Sequence, residues 1–223
     1  MLRINDACVR YGKNEVLHGV SFEVNKGDVV ALIGPNGVGK TTLLKIMAGL
    51  IPVSRGDVFW NEKSIYKCPA SCGVLIEEPK YYPNMTGQDN LKMIQSFDSS
   101  LIPDEALIEK LKMVDLLHKK CSSYSLGMRK KLGLIIATMG NPNYLILDEP
   151  QNGLDHDGVE VLRWKIMNYK QEGGVIVLAS HDISEISRTC NRALFVQNGE
   201  IVQETPVTDP ESLELVYKGV FND

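Results

Sequence analysis

Nine consecutive residues suggest the clearest chemistry in this chain of 223 residues, since positions 34 to 42 read Gly-Pro-Asn-Gly-Val-Gly-Lys-Thr-Thr. Glycines at this spacing let successive backbone N–H groups turn inward and surround phosphate oxygens. Lys40 can reach the β- and γ-phosphates of a nucleotide, and the Thr41 hydroxyl can bind Mg²⁺. Residues 29–33 predict a strand and 41–47 a helix, whose N-terminus favours an anion. The sequence therefore predicts a nucleotide site formed by Gly34, Pro35, Asn36, Gly37, Val38, Gly39, Lys40, Thr41 and Thr42.

Two acidic residues follow another predicted strand. Asp148 and Glu149 come directly after the apolar run 144–147. Ligands of open α/β sheets bind at the carboxyl ends of parallel strands, so we expect this pair at the same sheet edge as the phosphate loop. Asp148 suits contact with Mg²⁺, which takes few carboxylates together with phosphates. Glu149 suits a water nucleophile, as a general base or an orienting group. A helix cap or a salt bridge is the alternative for the pair.

A histidine ends a third predicted strand. His181 follows Ser180 and the apolar run 175–179. A lone histidine is more often a structural residue. Its expected position at the same sheet edge as the phosphate loop favours contact with the γ-phosphate instead.

The pattern along the chain predicts an α/β fold. Alternating and apolar runs predict strands at 2–9, 16–24, 56–60, 73–76, 144–147 and 175–179. Helices are expected around 89–96, 104–114, 125–138 and 158–169. The predicted architecture is a single domain, 1–223, with a P-loop NTPase core whose mostly parallel sheet is flanked by helices (about 1–78 and 143–223). An N-terminal antiparallel β subdomain and a helical insert (about 79–142) complete it.

Composition limits the possible partners and locations. The net charge of −4 gives no broad attraction to nucleic acid or an anionic membrane, so no nucleic-acid partner is expected. No apolar run approaches the roughly 18 residues of a membrane span, and the N-terminus lacks the apolar core of a signal peptide. We therefore expect a cytoplasmic protein. Its five cysteines include no C-x-x-C pair, which argues against a disulfide framework and a zinc site.

These motifs, taken in order, resemble those of the ATP-binding subunit of ATP-binding-cassette (ABC) transporters, over nearly the whole chain. By this resemblance residues 34–42 are the Walker A loop, 144–148 are Walker B, and His181 is the switch histidine. Residues 152–155 look like the D-loop, which ends at Asp155. Tyr11, 29 residues before Lys40, is where the family places an aromatic ring on adenine.

The resemblance also implies roles for these residues. Glu149 and His181 would be catalytic in an ATPase whose cofactors are ATP and Mg²⁺. Thr41 and Asp148 would hold the metal.

A further motif departs from the family in part. The usual signature is Leu-Ser-Gly-Gly-Gln, whereas this chain has Tyr124 followed by Ser125, Leu126, Gly127 and Met128. The Ser125 hydroxyl can cap the next helix, and it can meet a phosphate together with the Gly127 N–H. The basic run 129–131 is interpreted as a solvated patch rather than an ATP contact.

Partners follow from the same resemblance. The family binds each ATP between the Walker A loop of one subunit and the signature of another. We therefore expect ATP-driven dimerisation, by default as a homodimer, with a pair of different cassettes left open. A separate integral membrane permease would hold the protein peripherally at the inner face of the cell membrane.

One residue in the joining loop differs from the family. Glu77 stands where a glutamine usually contacts Mg²⁺, so it is a third candidate metal ligand. A solvent-facing glutamate is an equal alternative. The surrounding run, 75–86, is similar to bacterial exporters that protect cells from antimicrobial peptides, including bacitracin and lantibiotic systems. Its Tyr81 and Tyr82 face either a permease helix or the helical insert.

Two other functions compete with the transporter ATPase. A soluble ABC-type ATPase, for example of the iron–sulfur assembly type, fits by size. A P-loop kinase or another nucleotide-dependent module explains the phosphate loop but leaves the signature, the D-loop and His181 without roles.

Overall fold

Two sheets and a helical segment make up the protein. The computed structural model describes residues 1–68, 71–77 and 79–221. The first sheet is antiparallel, in the order β2-β1-β4-β5. Its strands are β1 (Leu2–Tyr11), β2 (Asn14–Val24), β4 (Arg55–Trp60) and β5 (Lys63–Ser64).

The second sheet is mostly parallel and positions the polar groups of the predicted site. Its order is β10-β9-β3-β8-β7-β6, in which β10 alone pairs antiparallel with its neighbour among the described strands. Its strands are β3 (Val29–Ile33), β6 (Cys72–Leu75), β7 (Tyr144–Asp148), β8 (Val175–Ala179), β9 (Arg192–Gln197) and β10 (Glu200–Pro206). The phosphate loop follows β3, Asp148 and Glu149 lie at the end of β7, and His181 comes shortly after β8, so all three lie at one sheet edge.

Both faces of this sheet are covered. Every residue of β3 and β8 is buried, and alternate residues of β3 belong to different cores. Val29, Ala31 and Ile33 pack in one core, while Val30 and Leu32 pack in the other. A strand buried on both faces reads as a continuous apolar run, which explains why the sequence located these strands well.

Helices complete the layers. They are α1 (Lys40–Met47), α2 (Gly87–Phe97), α3 (Glu105–Lys110), α4 (Leu126–Ala137), α5 (His156–Gln171), α6 (Ile183–Thr189) and α7 (Pro210–Phe221). Two short 3₁₀ turns, Leu116–His118 and Cys121–Ser123, lie between α3 and α4. None of the helices in the described part of the chain is long and apolar enough to cross a bilayer.

Tyr144 ties the two sheets together at the start of β7. Its ring stacks on that of Trp60, with centroids 5.0 Å apart, and its hydroxyl donates to the Met47 carbonyl oxygen at 3.1 Å. Trp60 ends β4 and Met47 ends α1, so one buried side chain connects the antiparallel sheet, the phosphate-binding helix and β7.

Gly73 allows β6 to lie against the helical segment. A Cβ there would overlap the Ala137 carbonyl oxygen and lie 2.5 Å from the Leu145 side chain. Only glycine therefore permits this approach of β6 to α4 and β7.

The structure differs from the predicted elements in several places, since β5 and the two 3₁₀ turns were not predicted either. The helix expected at 104–114 ends at Lys110, because Lys112 adopts a positive φ of 57° that an α-helix cannot accommodate. The elements after residue 180, which are α6, β9, β10 and α7, were not predicted. The division into core and helical insert stays a prediction.

Candidate nucleotide-binding site

The phosphate loop joins β3 to α1 with the shape that its glycines predict. Gly39 has a φ of 109° at the N-cap of α1, and Gly37 has a φ of 85°. In the described chain no side chain caps this helix, and its first turn contains no acidic residue. The backbone N–H groups at the start of α1 are therefore available to an anion, which the helix dipole also favours.

Lys40 points back over this loop. Its Nζ donates to the carbonyl oxygens of Gly34 at 2.6 Å and Pro35 at 2.9 Å. Burial lowers the pKa of the Lys40 ammonium, and the carboxylates of Glu149 and Asp148 partly offset this. The ammonium is thus held where phosphate oxygens can replace the two carbonyls.

A cavity of about 520 Å³ opens in front of the loop. Its walls come from five separate parts of the chain, and they include most of the predicted phosphate-loop residues, both acidic residues and the joining loop. The lining residues are Val16, Asn36, Gly37, Gly39, Lys40, Thr41, Thr42, Glu77, Lys130, Asp148, Glu149 and Asn152.

Thr41 and Asp148 form the oxygen pair predicted for Mg²⁺. The Thr41 hydroxyl donates to Asp148 Oδ2 at 2.9 Å across the sheet edge. Burial raises the pKa of the Asp148 carboxyl, an effect that the hydrogen bond from Thr41 opposes. No three His, Cys, Asp or Glu residues cluster as metal ligands within the described residues. A hydroxyl and one carboxylate beside a phosphate cavity fit Mg²⁺, which keeps waters and phosphates as its other ligands.

Glu149 is held at both carboxylate oxygens. His181 Nδ1 lies 2.9 Å from Oε1, and Gln151 Nε2 donates to Oε2 at 3.1 Å. The same Gln151 amide also donates to the buried Ser180 hydroxyl. Glu149 has a φ of 44°, and its N–H donates to the Ala179 carbonyl at 2.9 Å. This arrangement fixes a carboxylate at the cavity wall, as a group that orients or deprotonates water requires.

Gln151 was missed by the sequence reasoning. Its position two residues after Glu149, in the same tight loop, was the available signal, but only the structure shows that its amide faces back toward the carboxylate.

Tyr11 lies at the end of β1, outside the cavity lining, with 52% of its surface exposed. Its role on adenine stays a prediction.

The signature residues also lie outside this cavity. The Ser125 hydroxyl accepts from the Met128 N–H at 3.3 Å and so caps α4, as predicted. Leu126 is 47% exposed, while Met128 packs partly buried against the core. Gly127 lies against the D-loop, since a Cβ there would be 2.9 Å from the Gly153 carbonyl oxygen. The signature therefore forms one surface with the D-loop from Gly153 onward, while Asn152, the first D-loop residue, lines the nucleotide cavity.

Asp155 ends that surface and anchors it. Its carboxylate accepts from the Gly158 N–H at 2.9 Å, which caps α5, and it pairs with Lys131 at 3.1 Å.

The interpretation of 129–131 as a solvated basic patch is wrong. Lys130 is only 8% exposed and its Nζ donates to the Glu77 carbonyl at 3.3 Å, because α4 turns this face toward the joining loop.

Glu77 lies in the cavity wall but is paired elsewhere. Its carboxylate Oε1 is 2.7 Å from Lys45 Nζ, and its backbone has a φ of 58°. The hydrogen bond between them lowers the pKa of Glu77 and raises that of Lys45. Contact between Glu77 and Mg²⁺ stays a prediction.

Known proteins of one family match this chain. The sequence profile of the ABC transporter family matches residues 17–152. The lantibiotic transport ATP-binding protein SrtF of Streptococcus pyogenes is 35% identical over 226 residues, which cover 97% of this chain and 96% of SrtF. The bacitracin transport ATP-binding protein BcrA of Bacillus licheniformis is 31% identical over 217 residues, which cover 92% of this chain and 70% of BcrA.

Solved structures agree on the fold. The ATP-binding subunit of an ABC transporter superposes with a TM-score of 0.86 at 26% identity, covering 96% of this chain and 94% of that one. A dimeric post-hydrolysis state of the cassette MJ0796 with ADP and Pi superposes with a TM-score of 0.81 at 20% identity, covering 94% and 100%. The predicted fold class is confirmed.

The resemblance to the bacitracin and lantibiotic branch is likewise confirmed. More than half of the chain matches the family profile, and one relative matches nearly end to end. The chain therefore belongs to the ABC transporter family, in which it is an ATP-binding and ATP-hydrolysing subunit.

Proposed function

We propose that this ATPase powers a separate integral membrane permease that exports, or gives immunity to, an antimicrobial peptide or a related drug. The observation that supports the ATPase cycle best is the meeting of the phosphate loop, the Thr41–Asp148 pair and Glu149 at one cavity, with the signature outside it. The relatives SrtF and BcrA, named for lantibiotic and bacitracin transport, support the cargo class.

The phosphates of ATP bind at the loop. Lys40 exchanges its two carbonyl partners for β- and γ-phosphate oxygens, and the N–H groups at the start of α1 donate to the same phosphates. Tyr11 stacks on the adenine in this proposal.

The Thr41 hydroxyl and the Asp148 carboxylate would hold Mg²⁺, which neutralises phosphate charge when bound. Burial of Asp148 favours a cation there, since a buried carboxylate without a counter-charge is costly.

Glu149 orients a water molecule against the γ-phosphorus. As the water oxygen bonds to phosphorus, its proton passes to Glu149, and the bond to the bridging oxygen breaks with its electron pair on ADP. His181 contacts the γ-phosphate and keeps Glu149 in place through Nδ1. Water thus becomes part of phosphate, and ATP becomes ADP.

The signature acts on the nucleotide of a second cassette. Ser125 and the Gly127 N–H lie at the N-terminus of α4, outside the nucleotide cavity of their own chain. A head-to-tail dimer would bring them to the γ-phosphate of the partner, and hydrolysis would then separate the pair. We infer a homodimer, because one chain provides both halves of the site.

A groove beside the joining loop is the proposed permease contact. It has a volume of about 360 Å³ and is lined mainly by apolar residues between the core and the helical part at about 79–142. Leu50 in its lining is 57% exposed, and Tyr82 nearby in sequence is 58% exposed. The permease would thereby place the protein at the inner face of the cell membrane.

The dimer is tested with Glu149→Gln, which slows hydrolysis and preserves ATP binding. We expect light scattering to show a dimer at saturating ATP and a monomer without nucleotide, and Ser125→Asp in the same background to stay monomeric. A Glu149→Gln chain that remains monomeric with ATP, both alone and with its membrane partner, would refute the dimer.

The permease is tested by mild-detergent purification of the tagged protein from its native host, followed by mass spectrometry. We expect a polytopic membrane protein in comparable amount. Recovery with soluble proteins only, and absence of the chain from washed membranes, would instead favour a soluble ABC-type ATPase.

A further inference from the structure

Two cavities of this protein meet at a single side chain. The nucleotide cavity of about 520 Å³ and the groove of about 360 Å³ both border the joining loop. Among the described residues, Glu77 alone lines both. The orientation of its carboxylate therefore determines which cavity receives a negative charge.

Lys45 now fixes that orientation. It lies on α1, one helical turn after Thr41, so the two side chains share a face of the helix. Its Nζ is 2.7 Å from Glu77 Oε1, and Lys45 lines the groove but not the nucleotide cavity. The pair therefore draws the Glu77 carboxylate toward the groove.

The main chain of the same residue is tied to another part of the protein. Lys130 of α4 donates to the Glu77 carbonyl at 3.3 Å. The Glu77 carbonyl is thus held by α4 and its carboxylate by α1, so the Lys45 contact opposes a turn of the carboxylate toward Thr41 and Asp148.

We propose that Lys45 is a positioning residue, which keeps the Glu77 carboxylate off the Mg²⁺ at Thr41 and Asp148. The inference rests on the proposed function, since it assumes that metal site. When Lys45 releases it, the carboxylate joins the oxygen ligands and tightens the metal, because Mg²⁺ sites in proteins take one or two carboxylates together with phosphates. An acidic group of a permease helix in the groove is the chemistry that would compete for Lys45.

The test is a double-mutant cycle on Mg²⁺-dependent nucleotide binding, read from the fluorescence of an ATP analogue. All proteins carry Glu149→Gln to prevent turnover. In this background, Mg²⁺ titrations compare the chain without further change with Lys45→Met, Glu77→Gln and the double variant. Met preserves the length of the lysine side chain, and Lys45→Arg should restore the original midpoint. Lys80→Met is the matched control, since it removes a charge from the same groove without breaking the contact.

We expect Lys45→Met to lower the Mg²⁺ concentration at the midpoint by about threefold to tenfold. In the Glu77→Gln background the fold-change should be at least about three times smaller. A coupling of threefold or more supports the inference. A smaller coupling, or an equal shift from Lys80→Met, overturns it and leaves the proposed function intact. A chain that binds no nucleotide at any Mg²⁺ concentration would refute both.

Discussion

The nucleotide cavity and the signature surface differ in how many parts of the chain build them. The cavity draws on β2, the phosphate loop, the joining loop, α4 and the segment from the end of β7 to Asn152. Within it the Thr41 hydroxyl already donates to the Asp148 carboxylate. The signature surface consists of the first turn of α4 and the D-loop from Gly153 onward, with Leu126 half exposed. The first half of the site is preorganised within one chain, whereas the second presents the N-terminus of α4 outside that cavity, where the proposed dimer would place a partner's nucleotide.

The largest effect should separate catalysis from binding within the cavity. His181→Ala is expected to lower ATP turnover by about 10²- to 10⁴-fold, the range for loss of a proton-transfer or orienting group. ATP affinity should stay within about threefold, because Lys40 and the N–H groups of the phosphate loop bind the phosphates and His181 adds only one contact to the γ-phosphate. Steady-state ATPase assays and fluorescent nucleotide binding measure the two, with the exposed His118 changed to Ala as a control. Equal losses in turnover and affinity would contradict this role.

Nucleotide affinity should distinguish the two halves directly. Lys40→Ala is expected to weaken ATP binding by the monomer by about 10- to 150-fold, since one charge-assisted hydrogen bond is worth about 1.5–3 kcal/mol. Lys131→Ala, which breaks the pair with Asp155 on the signature surface, should leave monomer affinity within about twofold. Isothermal titration at concentrations below dimerisation provides the measurement. If both variants weaken binding equally, the signature surface belongs to the cavity of its own chain and the comparison fails.

The two roles of Ser125 can be separated by the choice of substitution. Ser125→Ala removes the cap of α4 at a cost of about 1 kcal/mol, which lowers Tm by about 2–4 °C in a chain of this size. Ser125→Asp preserves a cap, so its Tm should match that of the unaltered protein, yet its charge repels a phosphate. Scanning calorimetry and light scattering with ATP should therefore show a stable variant that fails to dimerise. Normal dimerisation by Ser125→Asp would exclude the phosphate contact.

The smallest effect concerns the free energy of unfolding that is lost because the Asp148 carboxylate is partly buried. Burial raises the pKa of Asp148, so the folded state binds its proton more tightly than the unfolded state does. The resulting destabilisation is absent where both states are protonated, below an ordinary Asp pKa of about 3.9, and it develops as the pH rises through the folded-state pKa. Asp148→Asn should therefore stabilise the nucleotide-free protein at pH 7.5, by less than Ser125→Ala destabilises it, because solvent screens a partly exposed carboxyl.

Urea denaturation at pH 7.5 and pH 4.5 measures that difference. The gain from Asp148→Asn should shrink at the lower pH. A gain that is constant or grows on acidification would assign the effect to packing rather than to charge.

Sequence alone predicted those parts whose chemistry depends on neighbours along the chain. The phosphate loop needs glycines at fixed spacing, and β3 and β8 are apolar throughout, so their ends matched the prediction. The Ser125 cap also depends on a residue only three positions away. Local pattern is sufficient wherever the contacts are local.

The parts that sequence missed depend on contacts between distant segments. Lys130 and Lys131 read as a solvated patch, but the fold brings Glu77 and Asp155 against them. Gln151 reaches both Glu149 and Ser180 only because β7 and β8 are neighbours. Lys45, which pairs with Glu77, lies 32 positions away on α1, the helix that follows the phosphate loop.

Gly73 fixes where the joining loop begins. A Cβ at this position would overlap the Ala137 carbonyl oxygen and lie 2.5 Å from the Leu145 side chain, so β6 packs directly against the end of α4 and against β7. The loop after Leu75 includes Glu77, whose φ is positive and whose side chain lines both the nucleotide cavity and the groove. If a membrane partner occupies the groove as proposed, a displacement there would reach the nucleotide cavity through the backbone around Glu77.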